Sequence, residues 1–233
     1  MIQSQIYTGF LSLQVLMVCF NFLGQSVDKL NYWGSTSGDA EVKTNKGRPR
    51  ALSPVDEFFL VLVRLKLGLF EQDLAYRFGI SQSTVSRIIN TWINLLFLQF
   101  KNIPLWPPRD LVLLTMPKCF KEKYPHTRVI VDATETFVEQ PAVKELQQLT
   151  FSKYKNHNTF KGLIGISPSG AVMFISDLCP GSISDKELTR KSGLLQMLEK
   201  GDCVMADRGF DIEEDLALLG VKLNIPPFLK GKV

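Results

Sequence analysis

The chain has 233 residues, with 27 Lys and Arg against 23 Asp and Glu for a formal net charge of +4, and it is 45% hydrophobic and 21% charged. Those proportions belong to globular domains and exclude disordered, collagen-like and coiled-coil chains. Four cysteines far apart, with no CxxC pair, and two histidines give neither a disulfide framework nor the spacing of a Cys/His zinc site, which points to a reducing compartment. The charge is uneven: residues 1–120 carry 12 Lys and Arg against 8 Asp and Glu, residues 121–233 carry 15 against 15, so the front half leans toward polyanionic partners.

Residues 10–23 form the longest apolar stretch, interrupted by Ser12, Gln14 and Asn21. It falls short of the ~20 residues that span a bilayer, and without a preceding Lys or Arg or a clean cleavage site it is no signal peptide, so no membrane anchor is expected. Phe10, Leu13, Leu16, Met17, Phe20 and Leu23 recur at three and four, the spacing of a core-facing helix. Residues 31–50 are rich in Gly, Ser, Thr and charge without periodicity and read as a linker; its end, Lys46-Gly47-Arg48-Pro49-Arg50, is similar to a minor-groove hook, but a single copy reads more simply as basic linker.

Ser53-Pro54 opens a helix, with Ser as N-cap, Pro at the first position and Asp56 and Glu57 in the first turn; it stops at Gly68. A short helix follows from about Glu71 to Phe78, ended by Gly79, and a third from Gln82 to about Phe97 capped by Ser81. Beyond Pro104, Pro107 and Pro108 the pattern turns strand-like. Residues 128–131 form a β-branched run ending at Asp132, residues 160–166 and 171–175 flank a Ser-Pro-Ser-Gly turn as a hairpin, and residues 203–206 form a short apolar run ending at Asp207. Residues 184–199 read as one helix with Ser184 and Glu187 as its capping box. The fold class is α/β: an all-α helix-turn-helix domain followed by an α/β domain, divided as residues 1–50 (N-terminal helix and linker), 51–103 and 104–233.

Residues 71–93, EQDLAYRFGISQSTVSRIINTWI, set a short helix, a Gly turn and a capped longer helix at the spacing of a DNA-binding helix-turn-helix. Leu74, Ala75, Phe78, Ile80, Val85, Ile88 and Ile89 supply its core, which leaves Gln82, Ser83, Thr84, Ser86 and Arg87 outward at the start of the second helix. Short hydroxyls, an amide and one Arg suit base edges and phosphates, whereas an ordinary helical hairpin would use them as a solvated face.

Two acids terminate strand-like runs, Asp132 and, 75 positions on, Asp207 in Asp207-Arg208-Gly209-Phe210. A carboxylate fixed at a strand end yet open to solvent is what divalent-metal coordination by oxygen requires, and two metals ~3.5 to 4 Å apart cleave phosphodiesters by activating a water and stabilising the leaving oxygen. Each acid alone reads as a solvated turn or cap. Asp185 reads first as a first-turn helix acid and second as a further ligand. Ser182 and Ser184 lack a GxSxG context, and no Walker glycine loop is present.

These motifs, taken in order, resemble the DDE superfamily endonucleases of Harbinger-type transposases and their domesticated relatives. The resemblance runs through YTGFLSLQVLMVCFNFLG (7–24), LSPVDEFFLVLVRLKLGLFEQDLAYRFGISQSTVSRIINTW (52–92), VDATETFVEQP (131–141), PGSISDKELT (180–189), ADRGFDI (206–212) and NIPPFLKGK (224–232). It implies a transposase-type helix-turn-helix and a ribonuclease H-like nuclease domain, with Asp132 and Asp207 as the first two of three acids holding Mg²⁺ or Mn²⁺. The resemblance also implies duplex DNA as partner, a nuclear location, and a protein partner for DNA binding or nuclear import. The family's third acid, a Glu on a helix a few tens of residues past the second, has no counterpart, since the chain ends 26 residues after Asp207 and Glu213, Glu214 and Asp215 come too soon. The expectation is a C-terminally truncated member, either a divalent-metal-dependent endonuclease with Lys153, Lys155 and Lys161 on phosphates, or a catalytically dead DNA-binding protein.

Overall fold

A computed structural model describes residues 2–32 and 50–226. The chain divides into two compact units, Met1–Ile103 and Pro104–Val233. Among the described residues no helix is long and apolar enough to cross a membrane. The 31–50 segment lies outside the described residues except at its edges, and the basic Lys46–Pro49 stretch falls wholly outside them.

The first unit is helical: α1 (Ile2–Thr8), α2 (Leu13–Phe22), a 3-10 turn (Gly24–Val27), α3 (Pro54–Leu67), α4 (Glu71–Phe78) and α5 (Gln82–Phe100). The caps follow the local sequence: Ser12, Ser53 and Ser81 each accept from a backbone N–H three residues on, while Gly68 and Gly79 end α3 and α4 in the left-handed conformation. One core holds the helices together, with Phe58, Leu60, Leu74, Val85, Ile88 and Trp92 joined by Leu16, Leu23 and Val27 from the N-terminal segment. Phe20 lies tilted against Phe58 at 5.7 Å and stacks on Trp92 at 6.5 Å. Burying each such side chain stabilises by ~1.5–3 kcal/mol, so α2 belongs to the core of the helix-turn-helix unit. Leu13, expected on its buried stripe, is exposed because α2 starts there, after the break at Gly9 and the cap at Ser12.

A buried carboxylate crosses this core. Glu57, 2% exposed, takes the Trp92 indole N–H at 2.8 Å and lies 2.6 and 2.7 Å from the Tyr32 hydroxyl, with Arg50 at 3.9 Å. Burial and the bond to Glu57 push the Tyr32 phenol well above its ordinary pKa, so it stays a donor. Donors on every side are what allow a charge to sit in an apolar core.

The second unit contains α6 (Arg109–Thr115), α7 (Lys118–Lys123), β1 (Thr127–Phe137), α8 (Lys144–Thr150), β2 (Phe151–Ser152), β3 (His157–Ile166), β4 (Val172–Ile175), β5 (Cys179–Pro180), α9 (Asp185–Lys191), α10 (Leu194–Met197), β6 (Cys203–Met205), α11 (Glu213–Leu218) and β7 (Lys222–Asn224). Its sheet runs β2-β3-β1-β6-β7, with β4 and β5 also paired to β3. β1 runs antiparallel to β3 and parallel to β6, and β6 runs parallel to β7. Val129, Val131, Leu163, Val204 and Ala206 turn to the face covered by Leu188 of α9, Leu194 of α10 and Leu216 of α11.

Three expectations are corrected. The strand expected to end at Asp132 continues to Phe137, because β-branched Thr134 and Thr136 keep pairing with β3 after the apolar run stops. The single helix expected over residues 184–199 is two, since Gly193 adopts φ +85° and breaks it. The sequence from Glu213 predicts a helix that packs Leu216, Leu218 and Leu219 on the sheet, but only Leu216 is buried, while Leu218 and Leu219 are exposed.

Candidate functional site

On α5 the outward residues stand as the spacing requires. Gln82, Ser83 and Arg87 are exposed and Thr84 and Ser86 half-buried, while Val85, Ile88 and Ile89 face the core. The Ser81 hydroxyl lies 3.0 Å from that of Ser83 and 2.8 Å from that of Thr84, so three hydroxyls cluster on the first turn. Arg87 lines a cavity of about 490 Å³ together with Ser81 and Thr84 from the first turn of α5 and Arg50 from before α3, whose guanidinium donates to the Val27 carbonyl at 2.7 Å. Arg50 escaped the sequence reading because it was assigned to the linker; its position directly before the capped Ser53-Pro54 turn was the available signal.

In the second unit the register sets the acids. Ile130 of β1 pairs with Met205, the last residue of β6; Asp132 lies two residues further along β1 and Asp207 two residues beyond the end of β6, and both carboxylates are exposed. Each is steadied locally. Asp132 Oδ1 accepts from the Ala133 N–H at 2.9 Å, and Asp207 Oδ1 accepts from the Gly209 N–H at 2.9 Å. A methyl added to Gly209 would lie 3.2 Å from Asp207 Oδ1 and 3.2 Å from Asp185 Oδ2, so these two carboxylates border the same space and a side chain there would fill it.

Asp185 is the first residue of α9, behind the Ser184 cap, and its Oδ1 lies 3.2 Å from the Lys161 ammonium. That ammonium also donates to the Ile183 carbonyl at 3.1 Å and stands 3.5 Å from Glu135. Lys161 is thus committed to two carboxylates, which corrects its expected role on phosphate; the pairing comes from strand register, Glu135 opposite Lys161, and no local sequence signal carries it. Glu135 was missed for the same reason, although it stands two places past Ala133 on the covered face. Burial pushes its carboxyl upward, but hydrogen bonds from Ser152 and Thr159 and the Lys161 charge outweigh burial and hold it below its ordinary pKa. Lys153 and Lys155 are exposed, and Lys155 Nζ stands 4.8 Å over the Tyr154 ring.

Two family models match the chain. Residues 50–102 match the helix-turn-helix of DDE superfamily endonuclease, and residues 131–228 match the DDE superfamily endonuclease itself. The chain belongs to the DDE superfamily endonucleases. It joins their helix-turn-helix to their ribonuclease H-like α/β domain, the arrangement of transposase-derived nucleases. No curated protein and no solved structure matches it.

DDE endonucleases generally use divalent metals. Among the described residues no group of three His, Cys, Asp or Glu is placed to hold one. The donors that are present are all carboxylate oxygens, the chemistry of Mg²⁺ and Mn²⁺, and Mg²⁺ is held by as few as one or two carboxylates with water and substrate phosphate completing its shell. Asp132 and Asp207 fit that requirement.

Proposed function

We propose that this DDE endonuclease binds duplex DNA through α5 and cleaves phosphodiester bonds with a divalent metal held by Asp132 and Asp207. The observation that supports this most is the parallel pairing of Ile130 with Met205, each two residues before one of the acids, although the two acids are 75 residues apart in sequence. In this reading Gln82, Ser83, Thr84 and Ser86 meet base edges, and Arg87 neutralises backbone phosphate. Phosphate contacts fix the register of the duplex and base contacts its sequence.

Bound Mg²⁺ or Mn²⁺ would supply charge stabilisation at the scissile phosphate and a water acidic enough to attack it. The chain's own residues orient that chemistry. The Ala133 and Gly209 amides hold the Asp132 and Asp207 carboxylates in place, and Lys161 holds Oδ1 of Asp185 while its Oδ2 borders the space beside Asp207, which makes Asp185 a further ligand in second place. A nuclear location accompanies a duplex DNA substrate.

The test is Mn²⁺-dependent nicking of supercoiled plasmid by the full chain beside its Asp132→Asn and Asp207→Asn variants. The expected result is nicking by the parent, a loss of at least a hundredfold in each variant, and unchanged duplex affinity in all three. Equal nicking in parent and variants would remove these acids from the metal site, and duplex binding without nicking in the parent would leave a DNA-binding protein that does not cut.

A further inference from the structure

A cavity of about 820 Å³ that the cleavage reading does not use is bordered by Phe151, Lys153, Tyr154, Asn156, His157 and Lys161. Its rim is a built turn. The Ser152 hydroxyl accepts from the Lys155 N–H at 3.2 Å, Asn156 takes the left-handed conformation at φ 51°, and the turn between them lifts Tyr154 to 84% exposure. Its floor is Gly181, where a Cβ would fall 2.0 Å from the Thr159 hydroxyl and 2.8 Å from the Thr150 carbonyl, so only a bare backbone fits. Gln140 and Gln148, also on its wall, make no side-chain hydrogen bond among the described residues. The cavity reaches the cleavage centre through one side chain: Lys161 lines it and holds Asp185, whose other oxygen borders the space at Gly209 with Asp207.

We propose that this cavity binds an unpaired stretch of the DNA substrate. The proposal rests on the cleavage reading for its choice of DNA, and it adds the form of DNA. An exposed aromatic ring stacks on a base face, and base faces are covered in a duplex and open in a single strand. Phe151 and Tyr154 offer two such rings, the unpaired amides carry the donor and acceptor pairs that base edges require, and among the described residues Lys153 and Lys155 pair with no carboxylate, which leaves them for the backbone. A volume of about 820 Å³ suits one or two nucleotides.

The experiment is fluorescence anisotropy of a labelled 12-nucleotide single strand against the full chain in EDTA, which silences cleavage, with excess unlabelled duplex present to occupy α5. Tyr154→Ala is the first variant, since a side chain this exposed supports no core, and Tyr154→Phe is the second. The expected result is single-strand binding by the parent that weakens about tenfold in Tyr154→Ala, is retained in Tyr154→Phe, and leaves duplex affinity unchanged in both. Single-strand affinity unchanged in Tyr154→Ala, or single-strand binding abolished by the competing duplex, would overturn the proposal. Because the measurement reads binding without metal, its failure is separate from a failure of plasmid nicking.

Discussion

Glu135 sits with its carboxylate between the Thr159 hydroxyl, which donates at 2.8 Å, and the Lys161 ammonium. Its pKa is lower in the fold than in the unfolded chain, so the ionised form contributes stability above the ordinary glutamate value of ~4.3, and that stability is lost as pH falls through the folded value. Glu135→Gln is therefore expected to be less stable than the parent at pH 7, with the gap narrowing below about pH 4. Urea titrations at pH 7 and pH 3 check this; a gap of equal size at both would show that the charge contributes nothing. A second buried pair carries a cost: Arg128 stacks 4.7 Å over Trp106 and its Nε stands 3.9 Å from Asp202, yet Nε and Nη1 make no hydrogen bond among the described residues and burial lowers its pKa. Asp202 instead gives its closer contact to Arg109 at 2.8 Å.

At the scale of elements, α4 and α5 were legible because everything that makes them is local: the Ser81 cap, the Gly79 turn, and apolar residues at three and four. Arg87 and its neighbours on α5 could be named for the same reason. Arg87→Ala should lower the salt dependence of duplex binding by about one counterion while leaving the helical content intact. Binding isotherms across a salt series read this slope, and an unchanged slope would detach Arg87 from phosphate. The strands were less legible. β2 and β5 are two residues each and have no period, and α9 and α10 share apolar spacing that hid the break at Gly193. Asp132 and Asp207 could be named from their apolar runs, but the Lys161 bridge between Glu135 and Asp185 exists only once β1, β3 and α9 meet.

At the scale of the whole molecule, the parallel contact of β1 with β6 has a consequence in time. β1 meets β3 across 22 residues at its near end, Phe137 with Thr159, whereas Ile130 and Met205 are 75 residues apart. Longer loops cost more entropy to close, and distant pairings form late in folding. Pulse-labelling hydrogen exchange during refolding should protect β3 amides before those of β6; simultaneous protection would refute the order. A chain stopped short of that last step already has α4 and α5 and most of its sheet, so the approach of Asp207 to Asp132 is the last part of the proposed site to form, and any activity that needs both acids arrives only with the finished fold.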